Sequence, residues 1–202
     1  MTMHRWQVIN HYLKTKFENS DPKYLEIGIH NGDNFLKVEC ADKTGIDPSP
    51  IYKSNRIFQM TSDDFFDSNE QVFDVIFIDG LHEREQVEKD FWNAFQCLSL
   101  DGIIILHDCS PRVYFETVVP RPKPIGRWNG DTYKAWIKIR EIFPQATFTI
   151  ATDEGLGVFL NSLNQINDQG QWSGHHVTWD EYKKKRALLL NEISLDAFKS
   201  LI

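Results

Sequence analysis

The run Tyr24-Leu25-Glu26-Ile27-Gly28-Ile29-His30-Asn31-Gly32 constrains this chain more than any other stretch. A short apolar strand carries a carboxylate near its end and then breaks into a loop with glycines four residues apart. Phe35 and Leu36 follow with apolar surface suited to a helix face. Strand, glycine loop and helix in that order predict a ligand pocket at a strand end. A dinucleotide fold needs Gly-x-Gly-x-x-Gly, because its backbone must come close to a pyrophosphate at a helix N-terminus. Here Ile29 and His30 fill the gap between the glycines, so that approach is missing and a nicotinamide-linked oxidoreductase is disfavoured. A ligand that carries adenosine without phosphates fits better.

Strand and helix signals alternate from residue 24 onward. They predict an α/β domain with a Rossmann-like, doubly wound sheet of about seven strands, helices on both faces and an antiparallel C-terminal hairpin strand. The 202 residues suffice for one full core and are too few for two ordinary domains, so residues 1–202 read as a single unit. Trp6, Ile9, Leu13 and Phe17 recur at helical spacing within residues 1–20, and residues 24–161 form the ligand-binding core. Short strands are expected at Lys43 to Ile46 and Arg56 to Met60, with Thr61 to Asp64 as a turn. Phe73 to Ile78 is apolar enough for a strand covered on both faces. A helix should run from Glu83 to Leu98, and Leu100-Asp101-Gly102 should turn the chain into the buried strand Ile103 to Leu106. Prolines at 111, 120, 122 and 124 mark a long loop over 109–130. Asp131 can cap a helix to Phe143, and Thr147 to Thr152 with Val158 to Leu160 reads as a hairpin. Residues 162–202 form an extension whose helix starts at Thr178-Trp179-Asp180.

Composition narrows the partners. A net charge of −7 opposes general affinity for nucleic acid, and no apolar run reaches the roughly 20 residues that span a bilayer. With no signal pattern over Met1 to Asn10, a cytoplasmic address is expected. The three cysteines, Cys40, Cys97 and Cys109, form no disulfide or zinc pattern. One segment runs against the overall charge: between residues 112 and 127, Arg112, Arg121, Lys123 and Arg127 face the single acid Glu116. With Trp128 they suggest the border of a site for an anionic small molecule. Trp172 and Trp179 could serve a lid or a contact between copies of the chain, and a homo-oligomer stays open.

Polar residues follow the apolar strands repeatedly: Glu26, Asp47, Asp63, Asp79 and His107-Asp108. In an open α/β sheet such strand ends hold the ligand. The pattern Glu-x-Gly-x-x-x-Gly resembles the first motif of class I methyltransferases. The blocks Asp79-Gly80-Leu81-His82 and His107-Asp108, separated by a helix and a strand, resemble small bacterial members related to macrolide-sugar O-methyltransferases and cephalosporin-hydroxylase-like proteins. The likeness covers roughly residues 24–161, and extends to Trp128-Asn129-Gly130-Asp131 and Thr178-Trp179-Asp180-Glu181-Tyr182.

The resemblance implies S-adenosylmethionine as methyl donor and a hydroxyl of a sugar or other small polar molecule as acceptor. It implies that Glu26, Gly28, Ile29, His30 and Gly32 shape the methionine end of the site. Asp47 would take the ribose hydroxyls, Ser62 and Asp63 would flank the adenine, and Asp79 with Gly80 would close the pocket. Asp79, His82 and His107 are the catalytic candidates, since imidazole removes a proton near neutral pH. Some relatives hold Mg²⁺ through acids at these strand ends, which would enlist Asp79 and Asp108. This chain has His107 where those relatives carry another carboxylate. Asp79 ends a strand of Val, Ile and Phe, so a cation must accompany it: a metal ion or the sulfonium. An adenosine-ligand binder without turnover is the alternative reading.

Overall fold

The computed structural model describes residues 3–123, 126–164 and 173–202. Its centre is one eight-stranded sheet in the order β3-β2-β1-β4-β5-β7-β6-β8. The strands are β1 Lys23–Ile27, β2 Asp42–Ile46, β3 Ile57–Phe58, β4 Phe73–Ile78, β5 Leu98–Leu106, β6 Thr147–Ile150, β7 Leu156–Leu160 and β8 Glu192–Ile193. β3, β2, β1, β4 and β5 run parallel, and β7 inserts antiparallel to both β5 and β6. The eighth strand exceeds the expected seven. It is a two-residue segment parallel to β6, too short to carry a sequence period.

The helices are α1 Arg5–Lys16, α2 Ser62–Ser68, α3 Arg84–Gln96, α4 Thr132–Ile142, α5 Trp179–Leu190 and α6 Leu195–Leu201. On one face of the sheet, Val87, Phe91 and Ala94 of α3 pack with Trp136 and Ile139 of α4 and Tyr182 and Leu190 of α5. On the other, Val8, Ile9, Tyr12 and Leu13 of α1 meet Phe198 of α6. With both faces covered, the last four residues of β1 and β4 are buried, Asp74 of β4 lying before that run.

Four local expectations need correction. The glycine loop leads into turns rather than a helix: Phe35 is buried and Leu36 exposed, and the i→i+4 bonds there are Leu36 N–H to Gly32 O and Val38 N–H to Asn34 O. The chain must reach β2 within a few residues, which leaves no room to propagate. Thr61 to Asp64 is the start of α2 instead of a free turn, with the Thr61 hydroxyl accepting from Asp64 N–H. Leu100-Asp101-Gly102 sits inside β5 as a bulge, since Phe73 pairs with Leu98 while Val75 pairs with Ile103. Asp131 stands at the cap position of α4 but caps α3, its Oδ1 accepting from Arg84 N–H at 2.7 Å.

Among the described residues no helix is long and apolar enough to cross a membrane. The cysteines are free thiols. Trp179 is packed against Tyr182 at 5.2 Å, whereas Trp172 and Pro124 lie outside the described residues.

Candidate functional site

Strand order reverses between β1 and β4, and a cavity of about 800 Å³ opens over the carboxyl ends there. Glu26, Asp47 and Asp79 all face it, as do Ile29, His30, Ser62, Asp63, Gly80, His82, His107 and Asp108. A second hollow of about 610 Å³ lies at the opposite, amino-terminal edge among Leu13, Phe17, Pro22 and Arg56.

Gly28 lines the cavity with φ +90°, and a Cβ there would meet the Asp79 carbonyl oxygen at 2.1 Å. Only glycine lets β1 turn away beside β4. Gly32, also left-handed, packs on the Tyr52 ring and lies off the lining. His30 N–H donates to Asp47 Oδ2 at 2.8 Å, and Ser49 N–H donates to Asp47 Oδ1 at 2.7 Å. Asp47 is therefore both the turn former and a cavity wall, with acceptor capacity left on each oxygen. Glu26 is 1% exposed and accepts from the Tyr24 hydroxyl and from Asn34 Nδ2 at 2.9 Å. Burial raises its carboxyl to about 7, against the pull of those two hydrogen bonds. At the α2 end of the cavity, Gln86 Nε2 donates to Ser62 Oγ and Asp63 Oδ1, and Lys89 pairs with Asp63.

Five charged or titratable groups converge at the tips of β4 and β5. Asp79 Oδ1 lies 3.3 Å from His82 Nε2 and 3.2 Å from His107 Nδ1, and Asp79 Oδ2 accepts from Arg5 Nη1 at 2.8 Å. Asp108 reaches His82 Nδ1 at 3.0 Å and His107 Nδ1 at 3.2 Å, and accepts from Asn129 Nδ2 at 2.6 Å. Burial disfavours both carboxylate charges, yet the imidazoles beside them hold Asp79 and Asp108 well below the usual range. Burial likewise opposes protonation of His82, but the bonds to Asp108 and Asp79 outweigh it and push its pKa up to about 10. His107 is raised in the same way by Asp79 and Asp108.

The cationic partner of Asp79 is thus an arginine of α1, with no local signal to mark it: Arg5 lies 74 positions away. The return of the long loop also clamps His82. Trp128 stacks on the His82 ring at 5.1 Å, its carbonyl lies 3.3 Å from Nδ1, and Asp131 N–H donates to the His82 carbonyl. Gly130 permits this clamp, because a Cβ there would lie 1.8 Å from the His82 carbonyl oxygen. The β6–β7 turn adds Asp153 and Glu154, both with left-handed backbone, as is Asp108. Such conformations gather where a fold holds functional groups.

Of the basic loop, Arg121, Arg127 and Trp128 line the cavity, whereas Arg112 and Lys123 lie outside its lining. Arg121 rests 5.3 Å over Trp128, and Arg127 pairs with Glu154 at 2.8 Å.

Residues 30–109 match a family described as a methyltransferase domain, about two fifths of the chain. A protein from Corynebacterium glutamicum is similar in structure at TM-score 0.57 and 15% identity, over 80% of this chain and 82% of that one. A Podospora anserina methyltransferase solved with SAH bound gives TM-score 0.55 and 16% identity, over 79% and 89%. Structures of the plantazolicin methyltransferase with SAH are 20% identical over 50% of this chain at TM-score 0.40, and the chain spans 44% of their length. No curated protein matches the sequence. The chain thus shares the fold of these structures, and its segment 30–109 is similar to a methyltransferase domain.

Proposed function

We propose that this protein transfers a methyl group from S-adenosylmethionine to a hydroxyl of a small polar acceptor, sugars being the first class to examine. One observation carries the reading: Glu26, Asp47 and Asp79, on three different strands or strand ends, share a single cavity. The residues present suit the donor. Asp47 offers a carboxylate to a vicinal diol, Glu26 offers a buried carboxyl at the deep end of β1, and the ring of acids suits a cationic ligand. The SAH-bound Podospora relative supports the choice of ligand. When bound, the sulfonium supplies an already activated methyl, so the protein must align the acceptor and accept its proton.

His82 is the best base in reach. It is less enclosed than His107, with 19% of its side chain exposed against 7%, and it sits beside the loop that carries Arg121 and Arg127. Asp108 orients Nδ1, and Trp128 fixes the plane of the ring. In the free protein the two carboxylates keep His82 charged, so it becomes a base only when a cationic ligand beside Asp79 lowers its proton affinity. Arg121 and Arg127 would then meet an anionic group on the acceptor, Arg127 by exchanging Glu154 for it.

That same charge state of His82 favours the alternative, a binder of adenosine ligands without turnover. Purified protein assayed with labelled methyl donor against a panel of sugars, sugar nucleotides and small alcohols separates the two. Transfer to any hydroxyl supports the enzyme, and SAH binding with no transfer across the panel supports the binder. Replacing Arg121 and Arg127 by alanine should raise the acceptor KM, and an unchanged KM removes the anionic-acceptor idea.

A further inference from the structure

The acids through which the family resemblance would hold magnesium are Asp79 and Asp108, and with His82 their ligand atoms lie within 4.8 Å of one another. As arranged, these donors do not fit a divalent ion. Both nitrogens of His82 already face carboxylates, at 3.0 and 3.3 Å, so a metal on either nitrogen would displace a contact the ring now makes. Asp108 Oδ1 already accepts from Asn129, and Asp79 Oδ2 from Arg5. The neighbouring position holds the His107 imidazole, whose Nδ1 is 3.0 Å from the Arg5 guanidinium. A hard divalent cation asks for roughly six oxygen donors, and here it would also stand against a fixed positive charge.

The geometry points to Arg5 as the resident cation of this cluster, standing where an acid-only site would take a divalent ion, and excluding one. A guanidinium suits the place because it stays charged at any working pH and meets a carboxylate with a planar fork. Its delivery is built into the fold. Arg5 is the first residue of α1, and its backbone N–H donates to Asp153 Oδ2. Met3 exchanges two bonds with Thr152, its N–H donating to Oγ1 at 3.2 Å and its carbonyl accepting from that hydroxyl at 2.7 Å. The start of α1 is therefore stapled to the β6–β7 turn, with the guanidinium aimed at Asp79. Arg5 acts through Asp79 and His107 and is a positioning residue in this scheme. The inference rests on the methyl-transfer reading only for what the cavity does, since cation occupancy is decided by metal binding alone.

The test uses the full chain and Mn²⁺ as probe, read by the spin-resonance signal of the free ion and by melting temperature. Wild type should leave the free Mn²⁺ signal unchanged and melt at the same temperature with or without it. Arg5→Gln should take up Mn²⁺ at least about tenfold more tightly than any wild-type uptake and melt higher in its presence, because Asp79 has lost its guanidinium partner. Adding Asp79→Asn to that variant should abolish the uptake, and Arg5→Lys, which keeps the charge, should behave as wild type. If Arg5→Gln folds only when Mn²⁺ is added, the proposal stands. Asp79-dependent uptake by wild type, or an Arg5→Gln protein that takes up no ion whether folded or not, overturns it.

Discussion

Strands β4 and β5 run through two neighbourhoods that are held together differently. Along their flank, Phe91, Phe95, Phe143 and Phe159 meet ring to ring, with Phe159 lying 5.1 Å from Phe143, 5.5 Å from Phe91 and 5.6 Å from Phe95. At their carboxyl tips, Asp79, His107 and Asp108 are held by Arg5, His82 and Asn129. In the aromatic region each contact adds its own increment of burial and packing, so losses are graded. In the charged region each group is tolerable only because the others are present, and removing one exposes the rest to an unpaired burial. The flank therefore stabilises the sheet, while the tips hold a charge cluster at the cavity.

The largest expected effect lies at the tips. His82→Ala should lower turnover by roughly 10²- to 10⁴-fold while leaving SAH affinity within a few-fold, as expected for loss of a proton acceptor. A parallel loss of SAH affinity measured by calorimetry would merge the two roles that the proposed function separates. The flank should answer in the opposite sense. Phe159→Ala should lose about 3–5 kcal/mol of stability in denaturant titration with turnover per folded molecule nearly unchanged. A large drop in turnover there would erase the contrast.

Glu26, on β1 at the cavity wall, sharpens the comparison through pH. Its folded carboxyl titrates near 7, well above an unfolded glutamate, so the native state holds a proton that the unfolded chain has released. That contribution is complete below about pH 4.3 and disappears as pH rises through about 7. Wild type should then lose up to about 3 kcal/mol across this window relative to Glu26→Gln. Denaturant midpoints of both proteins at pH 5 and pH 8 check this, and parallel slopes would mean that Glu26 is not buried as described. The smallest effect is expected at Asp47, whose alanine variant should weaken SAH binding about tenfold, the value of one or two hydrogen bonds to a charged group. Unchanged binding would reduce Asp47 to a turn residue.

What the sequence made legible follows from the range of each signal. β4 was readable to the residue because Phe73 to Ile78 is apolar but for Asp74, and α5 because Thr178 caps a helix that opens with acids. Gathering of Glu26, Asp47 and Asp79 was readable because parallel strands put all their ends on one edge. β8 and the identity of the helix that Asp131 caps were not readable, since each depends on a partner brought in by tertiary folding. Arg5 belongs to the same class: in sequence it is one basic residue before an ordinary amphipathic helix, and only the pairing of α1 with the β6–β7 turn carries it to Asp79.

Calorimetric titration of the unmodified chain with SAH, and separately with NAD, tests the central claim most directly. One SAH per chain with micromolar or tighter affinity, and no heat from NAD, is the result expected of a cavity built from these three strand-end acids. Saturable NAD binding with none for SAH would contradict it.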